Sequence, residues 1–187
     1  MKMTLKTVAA VALVALLAAC GGGKGNTGTA EAADNAETAG SAASKVSYTN
    51  YVDNEKGVSF DVPEGLEKFD GPEAMGATEF RFDGKIINGV SADVSQSWDG
   101  EYTKEMIDKD FDEATLSLTG TPDSKERTAD GYIITESYKE WGRNGMQKVV
   151  YKGDKKYNIT VYWDDEYVDE YGGDVAKHVI ESFKVNE

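Results

Sequence analysis

The first 45 residues of the chain can contribute little to a folded core. Residues 8–19 are all Val, Ala or Leu, fewer than the about 20 apolar residues that span a bilayer as a helix. Residues 21–45 are rich in Gly and Ala and contain no apolar side chain larger than alanine. Because such a segment cannot offset the entropy of ordering, we expect 20–45 to be a disordered tether. The fold must therefore be built from residues 46–187, a length that suits one globular domain.

The apolar run has the layout of a secretory signal. It follows two positive charges, on Lys2 and Lys6, and it ends in small residues. Residues 17–20 read Leu-Ala-Ala-Cys, which resembles the lipobox of bacterial lipoproteins, and Cys20 is the only cysteine. The resemblance implies a signal peptide over 1–19, cleavage before Cys20, and acyl chains such as palmitate on that residue. The alternative is an ordinary signal peptide with a chance cysteine.

Charge and cysteine content limit the partners. The chain has 34 acidic and 20 basic side chains, a net charge of −14 at pH 7. This charge repels phosphate backbones and anionic headgroups, so we expect no nucleic-acid partner and a membrane contact made through the lipid. With Cys20 used by the anchor, no disulfide remains, and we expect a monomer held together by its core. Gly21 replaces the aspartate that retains some Gram-negative lipoproteins in the inner membrane. We therefore favour the outer membrane, on its periplasmic or surface face.

Hydrophobic periodicity predicts the class of the domain. Apolar residues three and four apart predict a helix over 102–118, ended by Gly120 and Pro122. A second helix is predicted over 174–183, capped by Asp174. Short connections favour antiparallel strand pairing. We therefore predict an α+β domain in which an antiparallel β-sheet is flanked by two helices. The predicted strands lie at 46–52, 58–62, 78–82, 90–98, 132–138, 146–152 and 156–163.

Two dipeptides are alternatives for the turn between the strands at 78–82 and 90–98. Residues 83–84 (Asp-Gly) and 88–89 (Asn-Gly) both favour left-handed dihedrals, and we prefer 83–84 as the turn, with a β-bulge near Gly89. Residues 142–145 and 153–154 are predicted to join the last three strands. In the strand at 90–98, alternation places Trp98 on the same side as the apolar residues.

Two stretches of the domain resemble the PsbP family. Residues 57–65 (GVSFDVPEG) resemble its opening strand and Pro-containing turn, and residues 179–184 (VIESFK) resemble its closing helix with a Ser-Phe pair. Leu66 stands where such sequences often carry a tryptophan. The resemblance implies a PsbP-like α/β/α sandwich. The family includes an extrinsic photosystem subunit, partners of small GTPases and bacterial lipoproteins, so the resemblance informs fold more than function.

Three groups of residues are candidate sites. Carboxylates crowd residues 164–174, and hard cations take six to eight oxygen ligands from such loops. One interpretation is weak calcium binding by Asp164, Asp165 and Asp169; the other is a solvated acidic surface, with no cofactor at all. His178, the only histidine, is expected at the surface in an i,i+4 pair with Asp174. The third group, at one predicted hairpin, is either an exposed binding platform or ordinary cross-strand packing; it comprises Tyr138, Trp141 and Tyr151.

The sequence favours binding over catalysis. It contains no nucleophile-elbow motif, no set of Cys and His zinc ligands and no phosphate-binding motif. We therefore favour a non-catalytic cell-envelope lipoprotein that binds or scaffolds an envelope protein partner. The alternative is an envelope hydrolase that uses carboxylates.

Overall fold

The computed structural model describes residues 46–116 and 120–186, all within one compact unit. The predicted signal peptide (1–19), Cys20 and the predicted tether lie outside these residues. Short 3-10 turns occur at Pro72–Ala74 and Asp165–Tyr167. The helices are α1 (Lys104–Glu113), α2 (Val168–Tyr171) and α3 (Asp174–Ser182). The strands are β1 (Tyr48–Asp53), β2 (Val58–Pro63), β3 (Glu67–Phe69), β4 (Thr78–Phe82), β5 (Lys85–Gln96), β6 (Ser124–Arg127), β7 (Gly131–Tyr138), β8 (Arg143–Lys152), β9 (Lys155–Asp164) and β10 (Lys184–Val185).

The strands form two sheets in which every neighbouring pair is antiparallel. The larger sheet has the order β3-β4-β5-β9-β8-β7-β6, and the smaller has the order β1-β2-β10. The α+β prediction is therefore confirmed. The sequence pattern did not separate the strands into two sheets, because alternation reports which side of a strand is buried and not which strand lies beside it.

The main core lies between α3, the small sheet and one face of the large sheet. Helix α3 packs against β2, β8 and β9, and its apolar stripe is buried. Phe60 of β2 is fully buried and packs its ring against Tyr51, Phe80 and Phe183. The stripe on α3 consists of Val175, Ala176, Val179 and Ile180.

The β4–β5 hairpin turns at Asp83-Gly84, as predicted. Both residues have positive φ, 49° and 69°, and Phe82 pairs with Lys85. The register then shifts, so that Arg81 pairs with Gly89. A Cβ on Gly89 would lie 2.3 Å from the carbonyl oxygen of Phe80. The close approach of the two backbones at the bulge therefore requires glycine there.

Two details of the strand predictions are wrong. Strand β8 begins at Arg143, which pairs with Tyr138, so residues 143–145 belong to the strand and not to the turn. Gly145 is a strand residue. A Cβ on Gly145 would lie 2.8 Å from Leu116 Cδ1, so glycine at this position leaves space for the Leu116 side chain. Strand β5 ends at Gln96, and Ser97 N–H still donates to Asp154 O (2.8 Å) in the adjacent turn. Trp98 lies beyond the strand and is fully exposed.

Helix boundaries also differ from the sequence pattern. Helix α1 starts after Thr103, whose hydroxyl accepts from Met106 N–H (3.3 Å), and ends at Glu113. The predicted continuation through 116 is wrong, and the rest of the predicted helix, 117–118, lies outside the described residues. Helix α3 begins after Gly173, so Asp174 is its first helical residue and provides no side-chain cap.

Candidate functional site

The second face of the large sheet is polar where β5, β9 and β8 run side by side. Asp93 lies opposite Asn158, and Gln147 lies opposite Thr160. Asn158 Nδ2 donates to Asp93 Oδ1 (2.8 Å), and Gln147 Nε2 donates to Thr160 Oγ1 (2.9 Å). These bonds bridge neighbouring strands at the centre of the sheet, on the face opposite the main core, which in antiparallel sheets is commonly polar.

Helix α1 covers part of this face and is fastened to it by Asp110. Asp110 Oδ2 accepts hydrogen bonds from Tyr132 Oη (2.8 Å), from Tyr151 Oη and from Lys156 Nζ (2.7 Å). The donors come from β7, β8 and β9, so a single carboxylate oxygen connects the helix to three strands. Tyr132 and Tyr151 also belong to a second, smaller apolar core beneath α1.

The hydrogen bonds at Asp110 fix the protonation of the groups that make them. Burial opposes ionisation of Asp110, but the bonds from Lys156, Tyr151 and Tyr132 outweigh it and lower the pKa of the carboxyl. Burial raises the pKa of Tyr132, and the hydrogen bond to Asp110 raises it further. The pKa of Tyr151 is raised for the same two reasons. Near neutral pH the carboxylate stays charged and the phenols stay protonated.

A cavity of about 440 Å³ lies beside this cluster, at the C-terminal end of α1. Its wall combines amide groups, an ammonium group and carboxylates, which suits a polar ligand better than an apolar one. The lining residues that carry these groups are Asp110, Glu113, Gln147, Lys156 and Asn158, and the phenol of Tyr132 also lines the cavity.

A buried carboxylate, Glu136, organises the chain after α1. Its side chain is fully buried on the polar face and accepts from Leu116 N–H (2.8 Å) and Gly120 N–H (2.9 Å). Lys125 Nζ donates to the carbonyls of Phe111 (2.9 Å) and Asp112 (2.8 Å) at the helix end. Tertiary partners thus take the backbone groups that a longer helix would use, which explains why α1 stops at Glu113.

The predicted calcium ligands occupy different positions around the end of β9. Asp164 N–H donates to Asn88 Oδ1 (2.8 Å), and the Asp164 carboxylate lies 3.7 Å from Arg143 Nε. Asp165 accepts from Asn144 Nδ2 (2.8 Å), while Asp169 is exposed on α2. Within residues 46–116 and 120–186, no three Asp, Glu, His or Cys side chains converge as a metal-binding group. Calcium binding by these residues stays a prediction.

His178 is at the surface, but its partner differs from the predicted one. Its Nε2 lies 2.9 Å from Asp61 Oδ2 on β2, and its ring stacks on Tyr48 at 4.0 Å between centroids. The expected pair with Asp174 is therefore wrong. A hydrogen bond from Asn50 and the interaction with His178 outweigh burial and lower the pKa of Asp61. His178 therefore links α3 to β2 of the small sheet.

The aromatic group predicted at the β7–β8 hairpin is divided by the fold. Tyr138 and Trp141 pack together with ring centroids 4.8 Å apart, and Trp141 is largely exposed. Tyr151 is buried and packs against Tyr102 and Tyr132 at the other end of the strand. The roles of Asp110 and Glu136 and the exposure of Trp98 were not predicted from the sequence. Asp110 had a detectable signal, since it is an acid flanked by the apolar stripe of α1.

The anchor prediction concerns residues that the structure does not describe, since Cys20 lies before residue 46. Among the described residues, no helix combines the length and apolar character needed to cross a membrane.

Comparisons with known proteins identify the fold. No protein-family model matches the sequence, and no curated protein matches it. The structure is similar to the solution structure of CyanoP, the cyanobacterial PsbP of Synechocystis sp. PCC 6803, with a TM-score of 0.51 and 18% identity over 80% of this chain and 98% of that chain. A crystal structure from Bacteroides thetaiotaomicron VPI-5482 has a TM-score of 0.44 and 13% identity over 74% of this chain and 48% of that chain. The likeness to CyanoP confirms the predicted PsbP-like fold.

Proposed function

We propose that this protein is a cell-envelope lipoprotein whose folded domain binds or scaffolds a partner and does not catalyse a reaction. Lipid on Cys20 holds it at the membrane, and residues 20–45 link this anchor to the folded domain. The lipobox resemblance of residues 17–20 supports the anchor. The outer membrane is the favoured location, because Gly21 follows the cysteine.

The observation that favours binding over catalysis is the hydrogen bonding and lowered pKa of Asp110. A general acid or base works best with a pKa near the operating pH. The Asp110 carboxylate lines the polar cavity, but three donors share one of its oxygens and lower its pKa. The phenols that face it have raised pKa values. The geometry therefore supports a structural role for Asp110, which attaches α1 to the sheet beside a binding cavity. It gives no support to the alternative of a carboxylate-dependent hydrolase.

The anchor is tested by comparing the wild-type chain with Cys20→Ser in a Gram-negative host. Cells are labelled with a clickable palmitate analogue and fractionated into inner membrane, outer membrane and soluble material. We expect label and outer-membrane residence for the wild type, and for a tether control, Ser41→Ala. Cys20→Ser should lose the label and either leave the membrane or remain uncleaved. An unlabelled wild type, or a Cys20→Ser chain that stays membrane-bound and correctly cleaved, would falsify the lipoprotein proposal.

A further inference from the structure

The β8–β9 hairpin is locally rich in lysine, although the protein as a whole is acidic. Residues 148–156 (KVVYKGDKK), around the β8–β9 turn, contain four lysines and a single acid. Lys152 and Lys155 face each other across the hairpin and are both exposed. The opposite end of β9 carries Asp164 and leads into residues 165–170, which contain four acids. At about 3.3 Å per residue, the strand separates the basic end from the acidic end by roughly 30 Å.

A groove of about 480 Å³ adjoins the basic end, between β8 and β10. Lys148 Nζ donates to the carbonyl of Phe183 (3.3 Å), which fixes one ammonium group inside the groove. Among the described residues that line the groove, Asp130 carries a carboxylate, which accepts a hydrogen bond from Thr128 Oγ1 (3.2 Å). Apolar side chains line the groove and exposed lysines stand at its rim. The residues that give it this character are Lys148, Val150, Lys152, Phe183, Lys184 and Val185.

One wall of the groove is an edge strand. Strand β10 pairs with β2 on one side and has no strand on its other side in the sheets of the described residues. An unpaired edge offers backbone donors and acceptors in the spacing of an extended chain, and peptides bind such edges by adding a strand. A concave groove with a strand edge therefore fits an extended polypeptide better than it fits a flat surface.

From these observations we propose that the groove between β8 and β10 binds an extended, acidic segment of a partner polypeptide. The inference rests on the proposed binding function and names the chemistry of the partner. Rim lysines attract carboxylates, the apolar lining accepts alternate side chains, and β10 supplies main-chain hydrogen bonds. The remaining surface of a protein with net charge −14 repels the same segment, so the partner is directed to this end.

The point at which the chain enters the domain, just before β1, is compatible with a partner that approaches at the basic end. Glu64 N–H donates to the carbonyl of Ser47 (2.9 Å), just before β1. A Cβ on the neighbouring Gly65 would lie 3.1 Å from the hydroxyl of Tyr171 in α2. The tether thus joins the domain near the acidic end, which leaves the groove remote from the attachment point.

The test uses the full chain, purified in neutral detergent micelles, and two fluorescent ten-residue peptides of defined sequence. One alternates Glu and Val, and the other replaces every Glu by Gln. Fluorescence anisotropy measures Kd for each. The rim variant is Lys152→Gln/Lys184→Gln. The matched control is Lys85→Gln/Lys139→Gln, which removes two exposed lysines at the opposite end of the large sheet and so changes net charge equally.

We expect the Glu peptide to bind, with an affinity that falls as salt rises, and the Gln peptide to bind at least about tenfold more weakly. The rim variant should lose about tenfold in affinity for the Glu peptide, and the control should stay within about twofold of the wild type. A photo-crosslinking Glu peptide should label 148–152 and 183–185; this mapping needs no variant, so misfolding of the rim variant leaves the test intact.

Equal binding of the two peptides, equal losses in both variants or crosslinks elsewhere would overturn the proposal. So would lysine-dependent binding to phosphatidylglycerol vesicles without peptide binding, which would assign the basic end to a lipid surface. These failures are distinct from failure of the anchor, because palmitate labelling and fractionation do not depend on the groove.

Discussion

The two faces of the seven-stranded sheet are built in different ways. On one face, α3 buries four apolar side chains against β2, β8 and β9, and the aromatic rings around Phe60 complete a continuous core. On the other face, α1 has no buried residue, and its connection to the sheet depends on Asp110 and a small apolar cluster. The first face resembles an ordinary domain core, while the second places polar groups beside a cavity.

This difference separates stability from recognition. Apolar burial stabilises in proportion to area and close packing leaves few voids, so the packed centre of the α3 face has little room for a ligand. Polar side chains on the α1 face satisfy one another through hydrogen bonds, whose net contribution is about 1 kcal/mol each. A helix held in this way can adjust at modest cost. The groove beside β10 lies at the edge of the α3 face: two of its lining residues, Val150 and Phe183, belong to the main core, and lysines stand at its rim.

The largest effect should come from the apolar face. Phe60→Ala should reduce the free energy of unfolding by about 3–5 kcal/mol, because it opens a cavity among fully buried rings. Phe111→Ala on α1 removes a half-buried ring that packs on Tyr132 and should cost clearly less, about 1–2 kcal/mol. Urea unfolding followed by fluorescence measures both. Equal losses would show that the two faces contribute alike.

A smaller effect is expected at Asp110. Asp110→Ala leaves two phenols and an ammonium group without their acceptor and should cost about 2 kcal/mol. Tyr151→Phe removes one hydrogen bond and should cost about 1 kcal/mol.

The pH dependence gives a control for this prediction through Asp110→Asn. Because the folded state lowers the pKa of Asp110, its contribution is present above the unfolded pKa of about 3.9 and disappears as pH falls through the folded value. The difference in unfolding free energy between wild type and Asp110→Asn should therefore be larger at pH 7 than at pH 3. A difference that does not change with pH would show that the charge of Asp110 is unimportant.

Local patterns in the sequence predicted most of the fold. The α3 stripe, the β7–β8 and β8–β9 hairpins and the Asp83-Gly84 turn depend on residues close in sequence, so periodicity and turn preferences were sufficient. Features set by distant residues were missed. Helix α1 stops at Glu113 because Glu136 accepts from backbone amides after the helix and Lys125 donates to carbonyls of its last turn. No helix signal near residue 113 carries that information.

The candidate site was less predictable for the same reason. The cluster at Asp110 joins residues from α1, β7, β8 and β9, which are brought together by strand order. The pairing of His178 with Asp61 likewise depends on where α3 lies against β2, and the local i,i+4 rule indicated Asp174. Strand order is a property of the whole chain, so a pattern confined to one element cannot supply it.

Amide hydrogen exchange of the native protein tests the central claim, that apolar packing holds one face and a polar tie holds the other. We predict that amides in α3 exchange only with a free energy close to that of global unfolding. Amides in α1 should exchange through local opening at a lower free energy, and Asp110→Ala should lower it further while leaving the gap between α3 exchange and global unfolding unchanged. Protection of α1 equal to that of α3 would contradict the account.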